Sequence, residues 1–328
     1  MTTAVAANVP AKNQSNWLRA GTAVTATSAS DVARQAGLDW SVSLHELSAS
    51  YTVPGAGQPI AVPVKNKFGV VKTTPFGDVS AVGVVGSKYQ VFQNAEVFSA
   101  LDSLIATGDA TYAAAGEYDG GAKVWMLLEL PINITVANDP HKGFILAKTS
   151  HDGSSSVVIK PIIERLFCKN QINKIYNNKN QFTYTLKHTS GSILNPNEIA
   201  TILHLSKDKF DLYSDVANIL MERRVIRAQA VDYFKKIFPL PTAIENADVS
   251  MLSAGEKRAA SRARAARAMA LNIYENSETT ENIRGTEFAL WHSVVEYADH
   301  GNKRNAAARA ISGASDGLKT RALELLAK

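Results

Sequence analysis

The sequence has very little cysteine: Cys168 is the single one among 328 residues. One cysteine excludes an internal disulfide and any zinc or iron-sulfur site built from several cysteines. The seven histidines are scattered, with neither H-x3-H nor HExxH spacing, so no catalytic metal site is predicted. The glycines form neither a P-loop nor a Rossmann pattern, so we expect no nucleotide-driven motor and no cofactor.

Long apolar runs are also missing. No stretch of about 18 apolar residues occurs, and the first residues lack a basic start followed by an apolar segment, so neither a membrane span nor a signal peptide is predicted. The expected location is the cytoplasm. The chain is nonetheless 45% hydrophobic, which is enough to bury a substantial core. Its net charge of +5 and sequence pI near 9.1 are compatible with a polyanionic partner.

The pattern along the chain predicts an α+β fold in three parts. Residues 1–50 are expected to form an N-terminal arm with short helices, one of them running from Asp31 to Ala36 and ending at Gly37. Residues 51–194 form a β-rich core of antiparallel hairpins packed on an amphipathic helix. Residues 195–328 read as helical, with a break at Pro239 and Pro241.

The core contains three hairpin signals and one helix signal. "VSAVGVV" and "YQVFQ" flank the tight turn "GSK", and Asp119-Gly120 and "HDGS" each lie between apolar runs typical of strands. Between the first two hairpins, Asn94 is expected to cap a helix that ends at Gly108.

Residues 141–190 hold eight Lys or Arg residues against Asp152 and Glu164, a local net charge of +6 that exceeds the +5 of the whole chain. Cations at near-alternate strand positions, with Asn, Gln and aromatic residues between them, are typical of a groove for single-stranded nucleic acid. The alternative is a lysine-rich sheet face that contacts only water. The predicted nucleic-acid-binding residues in the core are Tyr89, Lys148, His151, Lys160, Arg165, Lys169, Asn170, Lys174, Lys187 and His188.

The "SHDGS" motif also has the residue types of nucleophilic catalysis, since His151 and Asp152 lie between Ser150 and Ser154. A catalytic triad depends on geometry, and neighbouring residues on a strand point to opposite faces. We therefore prefer a hairpin turn in which Gly153 adopts positive φ. No catalytic residue is assigned, and Cys168, inside an apolar run, is interpreted as a buried structural cysteine.

Two predicted helices add further positive charge. "MERRVIR" contains Arg223 and Arg224, which we include among the candidate nucleic-acid contacts, and residues 256–270 form an alanine-rich and arginine-rich helix. Cations that recur on shared helix stripes favour contact with phosphates or with an acidic partner surface.

Several motifs in fixed order resemble the phage/plasmid-like protein family, also known as domain of unknown function 932. They are "LDW", "GVVGSKYQVFQNAEVF", "AAGEYDGGAKVWMLLELP", "SHDGS", "RLFCKNQI" and "KHTSG". The resemblance runs from about Trp17 to Leu325, and it departs from the family at "CKNQI", where a threonine is usual. It implies a mobile-element setting in actinobacterial phages and plasmids, and it does not imply a particular reaction.

The basic residues and the family resemblance together lead to one functional hypothesis. The protein is expected to bind and anneal single-stranded DNA during phage recombination, without ATP and without a metal ion. The order of hairpins and helix is similar, at the level of fold, to phage annealing proteins that assemble into rings. Lysines and Arg165 would neutralise phosphates, His151, Asn170 and His188 would hydrogen-bond the backbone, and Tyr89 would stack. We expect a homo-oligomer with no membrane contact. The alternatives are a nucleic-acid or nucleotide enzyme centred on His151, Asp152 and His188, and a replication or maintenance factor that binds duplex DNA.

Overall fold

The computed structural model describes residues 20–55, 57–136, 138–165, 170–172, 182–301 and 312–327. Its strands are β1 (Thr22–Ala23), β2 (Ser41–Tyr51), β3 (Ile60–Thr73), β4 (Val79–Gly86), β5 (Thr111–Tyr118), β6 (Lys123–Val136), β7 (Asp139–Ser150), β8 (Val157–Arg165), β9 (Asn170–Ile172) and β10 (Tyr184–Leu186). Its α-helices are α1 (Ala29–Gln35), α2 (Asn94–Ser99), α3 (Asp102–Ala106), α4 (Pro196–Glu222), α5 (Arg227–Ile237), α6 (Thr242–Glu245), α7 (Ala254–Asn276), α8 (Glu287–His300) and α9 (Asp316–Leu326).

The strands form two antiparallel sheets, which confirms the predicted α+β class. The main sheet has the order β1-β5-β6-β7-β8-β10, and β9 also pairs with β8. Within it, β5 to β8 are a meander in which each strand pairs with the next. The smaller sheet is β2-β3-β4, and we call it the hairpin sheet.

Helices α4 and α8 cover one face of the main sheet and bury the larger core. Met126, Ile145 and Ile159 of the sheet belong to the same buried cluster as Phe210 of α4 and Phe288 of α8. Helix α4 lies close to the sheet because Gly143 has no side chain: a Cβ there would come within 2.7 Å of the Phe210 ring. The helical region therefore packs directly on the β-rich core.

The opposite face of the main sheet is buried as well. Trp125, Leu127, Phe144, Leu146 and Ile162 form a second apolar cluster on that face. Both faces of the main sheet are thus covered where β6, β7 and β8 pair. A lysine or arginine on these strands therefore lies mainly against other protein atoms and not against open solvent.

The hairpin sheet has an exposed end, which we call the arm and define as residues 48–51 and 60–64. Here β2 pairs with β3 from Ser48–Pro63 to Tyr51–Ile60, whereas β4 pairs with β3 only from Lys67 onward. Because paired residues share a face, the register and the two-residue alternation place Ala49, Tyr51, Ile60, Val62 and Val64 together. Tyr51 and Ile60 are 54% and 51% exposed, so the arm is a two-stranded ribbon with an apolar face in solvent.

Most predicted elements are present, with three corrections. The segment "YQVFQ" is not a strand; its backbone forms an isolated bridge between Tyr89 and Thr189 and then leads into α2. The helix expected from Asn94 to Gly108 is divided into α2 and α3, and its N-cap is Gln93. Helix α1 is capped by the Ser28 side chain, so Asp31 lies in its first turn instead of capping it.

The predicted division into three parts stays a prediction. Strand β2 spans the expected boundary near residue 50, and its partner β3 continues far beyond it. The second expected boundary, at residue 194, falls just before Asn195, whose side chain accepts a hydrogen bond from Asn197 N and caps α4.

Candidate functional site at the junction of the two sheets

The hairpin sheet meets the main sheet at the loop that joins β7 to β8. Gly83 of β4 lies directly against this loop, and a Cβ at position 83 would come within 2.4 Å of the Asp152 Cα atom. The loop itself is the predicted hairpin turn, with β7 and β8 paired on either side and Gly153 at φ 75°. The turn interpretation of "HDGS" is confirmed.

An ion pair and an aromatic ring fasten the junction on one side. The Lys72 ammonium lies 2.9 and 2.8 Å from the two carboxylate oxygens of Glu117, and it sits 4.3 Å from the centre of the Trp40 ring. The Trp40 Nε1–H donates to Glu117 Oε2 at 2.9 Å. Because these residues belong to the hairpin sheet, the main sheet and the segment before β2, the contacts hold the three together.

His151 is buried at the centre of the junction in a neutral form. The Asn94 Nδ2 atom donates to Leu38 O at 3.0 Å, so Asn94 Oδ1 faces His151 and accepts from Nε2 at 2.9 Å. Burial lowers the pKa of His151 to about 4, with a smaller contribution in the same direction from His188. Its Nδ1 atom is then an unprotonated acceptor that has no hydrogen-bond partner among the described residues.

Asp152 is directed away from His151. Its Oδ1 accepts a hydrogen bond from Ser154 N at 2.9 Å, and its Oδ2 lies 3.3 Å from the Lys123 ammonium. Burial acts to raise the pKa of Asp152, but the hydrogen bonds from Ser154 and the charge of Lys123 outweigh it and leave the pKa below its usual value. The carboxylate therefore serves the turn and does not orient the imidazole as a catalytic base.

Beside the turn lies an open cleft of about 320 Å³. Its lining residues are Tyr89, Gly153, Ser154, Ser155, Ser156, Lys187 and His188. The Lys187 and Ser154 side chains are exposed, and so is Lys88, which precedes Tyr89 in the chain. The cleft thus offers serine hydroxyl groups and the Lys187 ammonium group to a ligand.

The aromatic part of the cleft is firmly held. Tyr89 and His188 stack with ring centres 4.9 Å apart and an interplanar angle of 6°, and the Tyr89 hydroxyl donates to Ser150 O at 2.7 Å. The His188 Nδ1–H donates to Gln90 O at 3.0 Å, so Nε2 is the atom that faces Thr149 Oγ1 at 3.2 Å. Burial lowers the pKa of His188. Of the predicted residues, the fold therefore brings Tyr89, Lys187 and His188 into one cleft.

The other predicted cations of β7 and β8 lie elsewhere and are engaged inside the protein. Lys148 Nζ donates to Ser312 O at 2.8 Å, and burial lowers the pKa of Lys148 to about 8. Lys160 is 9% exposed, and its ammonium lies 3.4 Å from Asp316 Oδ2. Arg165 is fully buried in an ion pair with Asp139. In this structure neither Lys160 nor Arg165 faces a groove, because both faces of the sheet are covered.

The remaining predicted residues fall into two groups. Lys169 and Lys174 lie outside the described residues, and Asn170 begins β9 with a side chain that is not described. Arg223 and Arg224 lie between α4 and α5, well separated in sequence from the cleft. Arg223 donates to Leu326 O at 2.8 Å and contacts Glu287 at 3.2 Å, whereas the Arg224 side chain is exposed.

Two residues of the junction were not selected from the sequence. Lys88 is exposed and directly precedes Tyr89, which lines the cleft; its position in the "GSK" turn before an aromatic residue is the signal in the sequence. Asn94 was assigned to helix capping; its actual role is to hold His151 through a contact 57 residues away, which no local pattern reveals.

The described part of the chain has neither a cluster of metal-ligating side chains nor a helix suited to a membrane. No group of three or more His, Cys, Asp or Glu side chains is arranged there to hold a metal ion. Among the same residues, every helix is too short or too polar to cross a membrane.

The fold and the junction define an α+β protein whose core sheet is a meander covered by helices, with a hairpin sheet fastened to it. The family model of a domain of unknown function, DUF932, matches residues 81–323, and the chain belongs to that family. The match includes β5 to β10, the cleft and the helical region. No curated protein and no solved structure matches the chain.

Proposed function

We propose that this protein binds single-stranded DNA and promotes its annealing without ATP, as a homo-oligomer. The observation that carries the proposal is the open cleft beside the "SHDGS" turn, where the exposed Lys187 stands next to three consecutive serines. Lys88 is also exposed and directly precedes Tyr89 of the cleft lining. Because Lys160 and Arg165 are buried and Lys148 is bonded to Ser312 O, the proposal assigns the phosphate contacts to Lys88 and Lys187.

The chemistry of the cleft suits a sugar-phosphate backbone. Lysine ammonium groups and serine hydroxyls donate to phosphate oxygens without reading the base, and such contacts are the majority in protein–DNA interfaces. The Tyr89 and His188 side chains are fixed by hydrogen bonds, so the aromatic side of the cleft is preorganised before a ligand arrives. A protein that grips the backbone leaves bases free to pair, which is what annealing requires.

The architecture supports the annealing part of the proposal by analogy only. Antiparallel hairpins packed on helices, with a further hairpin extending outward, are similar in outline to ring-forming annealing proteins of phages. Because one fold hosts many functions, the similarity of fold does not establish annealing. DNA binding is therefore inferred from the chemistry of the cleft.

The arm supports the self-association part. A two-stranded ribbon is marginally stable alone in water, and open strand edges in proteins are usually covered or paired with a neighbour. The exposed apolar face of Ala49, Tyr51, Ile60, Val62 and Val64 is suited to a neighbouring copy. Light scattering over a range of concentrations, with and without an oligonucleotide, tests this part; a monomer under all conditions contradicts it.

The enzyme alternative finds less support in the geometry. A general base needs a partner that orients it, and Asp152 is bonded to Ser154 and Lys123 instead of His151. A neutral, buried His151 with its Nε2–H directed at Asn94 has the character of a structural residue.

The test of DNA binding is the Lys88→Ala/Lys187→Ala variant, measured by fluorescence anisotropy with a labelled oligonucleotide at several salt concentrations. The log-log salt slope for single strands is about −0.7 per phosphate neutralised, so losing two contacts should make it shallower by about 1.4. Lys207→Ala, which removes an exposed lysine from α4, is the matched control and should bind like the unmodified protein. Equal binding by the double variant, or a flat salt response of the unmodified protein, contradicts the proposal.

A further inference from the structure

Helix α7 carries an exposed group of four cations, Lys257, Arg258, Arg262 and Arg264. Among the described residues none of the four is paired with a carboxylate. Arg267 of the same helix provides the contrast, since its guanidinium lies 2.6 and 2.8 Å from the two Glu245 oxygens and its Nε–H donates to Phe238 O at 2.9 Å. The protein thus neutralises one arginine of α7 and leaves the other four cations facing solvent.

The four cations form two rows along the helix. Successive residues of an α-helix are turned by about 100°, so Lys257 and Arg264 lie about 20° apart on one side, and Arg258 and Arg262 lie about 40° apart on the other. Between the rows runs a strip of small exposed residues: Ala254, Ser261, Ala265 and Ala268. The residues that face the protein are Ala260, Ala266, Ala270 and Ile273.

The helix that presents these rows has a capping box at its N-terminus. The Ser253 side chain accepts from Glu256 N, and the Glu256 carboxylate accepts from Ser253 N at 2.9 Å. This capping box holds the only carboxylate within residues 254–269, so no acid stands between the two cationic rows.

From this arrangement we infer that the exposed face of α7 is a binding surface for duplex DNA, contacting its phosphates. A helix about 10–12 Å across fits a major groove about 12 Å wide, and a cationic row on each flank then faces each phosphate wall. The small residues between the rows allow the helix to approach closely. This site is built from other elements than the cleft, so it goes beyond the single-strand function proposed above.

Two other partners fit the face less well. A helix that binds a lipid surface buries aromatic or large aliphatic side chains, whereas the strip between the rows is alanine and serine. The one large exposed apolar side chain of the helix, Met269, lies on the side of Arg258 and Arg262. An acidic protein partner would require large apolar anchors at the centre of the contact, and the centre holds small side chains.

The experiment measures the affinity for a fluorescent duplex of about 20 base pairs over a range of salt concentrations. The variant Lys257→Ala/Arg258→Ala/Arg262→Ala/Arg264→Ala should bind at least tenfold more weakly near 0.1 M salt. Its log-log salt slope should be shallower by up to about 3.6, from about 0.9 per phosphate contact. Arg258→Lys/Arg262→Lys keeps the charge and should retain most of the affinity, and Ser261→Ala, within the strip, should change little.

Further measurements separate this inference from the function proposed for the cleft. The α7 variant should keep its affinity for single strands, and Lys88→Ala/Lys187→Ala should keep its affinity for the duplex. Circular dichroism should show unchanged helix content, since alanine is a strong helix former. Unchanged duplex affinity of the fourfold variant overturns the inference. So does binding of the unmodified protein to phosphatidylserine vesicles or an acidic peptide in preference to the duplex.

Discussion

Two cation-bearing regions, the strand pair β7 and β8 and helix α7, use their charges in opposite ways. On the strands, Arg165 is fully buried with Asp139 and the Lys160 ammonium is held near Asp316. On α7, Arg258 and Arg262 are exposed and have no carboxylate partner in the described part of the chain. The difference shows that a sequence reveals how many charged residues a segment has, but not whether they are accessible to a ligand. Their accessibility depends on which other elements pack over the strand or helix.

The largest expected effect is on the buried side of this comparison. Arg165→Met should destabilise the protein by about 3–5 kcal/mol, because it leaves Asp139 as an uncompensated buried charge. Burial already raises the pKa of Asp139 although Arg165 acts to lower it. Urea unfolding monitored by circular dichroism measures the change.

The double variant Arg165→Met/Asp139→Leu is the informative control. Removing both charges at once avoids the unpaired carboxylate and should recover most of the loss. If Arg165→Met has the same free energy of unfolding as the unmodified protein, Arg165 does not neutralise a buried Asp139. The contrast between buried charges on the strands and exposed charges on α7 would then be wrong.

A pH effect, smaller for each residue than the effect of Arg165→Met, comes from the buried histidines. Burial lowers the pKa of both His141 and His151 to about 4, below the value near 6.5 of an unfolded chain. The unfolded state therefore binds protons more readily between about pH 6.5 and 4, so stability is fully present above this window and falls as the pH drops through it. At about 1.4 kcal/mol per pKa unit, each histidine contributes a loss of about 3 kcal/mol at the acid end.

The variant His151→Gln sharpens this expectation. Gln has an amide N–H for Asn94 Oδ1 and does not titrate, so its unfolding midpoint should depend less steeply on pH than that of the unmodified protein. An equally steep dependence would mean that His151 does not contribute.

The smallest effects are expected on α7. Arg258→Ala/Arg262→Ala should change stability by less than about 0.5 kcal/mol, as is usual for exposed sites without partners. Arg267→Ala, on the same helix, should cost about 1 kcal/mol because it breaks the bonds to Glu245 and Phe238 O. Thermal melting of the two variants side by side measures this difference. Equal decreases in melting temperature would mean that the bonds of Arg267 to Glu245 and Phe238 O do not add to stability.

The hairpins were predictable because their signals are local. Asp119 and Gly120 have φ of 55° and 67°, and Gly153 has φ of 75°, so the Asp-Gly turns follow from the conformations that these residues tolerate. The strand error at "YQVFQ" has a tertiary cause. There the Tyr89 hydroxyl bonds Ser150 O and the Gln93 side chain bonds Val42 N at 3.0 Å, so the segment is held by distant partners and not by a ladder.

The site was harder to predict than the fold. The burial of Lys160 depends partly on Asp316, 156 residues further along the chain, which no local pattern reveals. One signal was present: residues 157–163 are almost continuously apolar, as in strands buried on both faces, and Lys160 interrupts that run. Reading the apolar run before the charge would have placed Lys160 inside the protein.

The bare backbone at Gly83 has a mechanical consequence. Because Gly83 has no side chain, the backbone of β4 packs directly on the backbone of Asp152, with no flexible side chain between them. A displacement of β4 is therefore passed directly to the loop after β7, and the reverse also holds. The arm extends from the same hairpin sheet, so a movement of the arm would be passed through that sheet to the loop after β7. A neighbouring copy that bound the arm would therefore shift Ser154, beside which the DNA strand is proposed to lie.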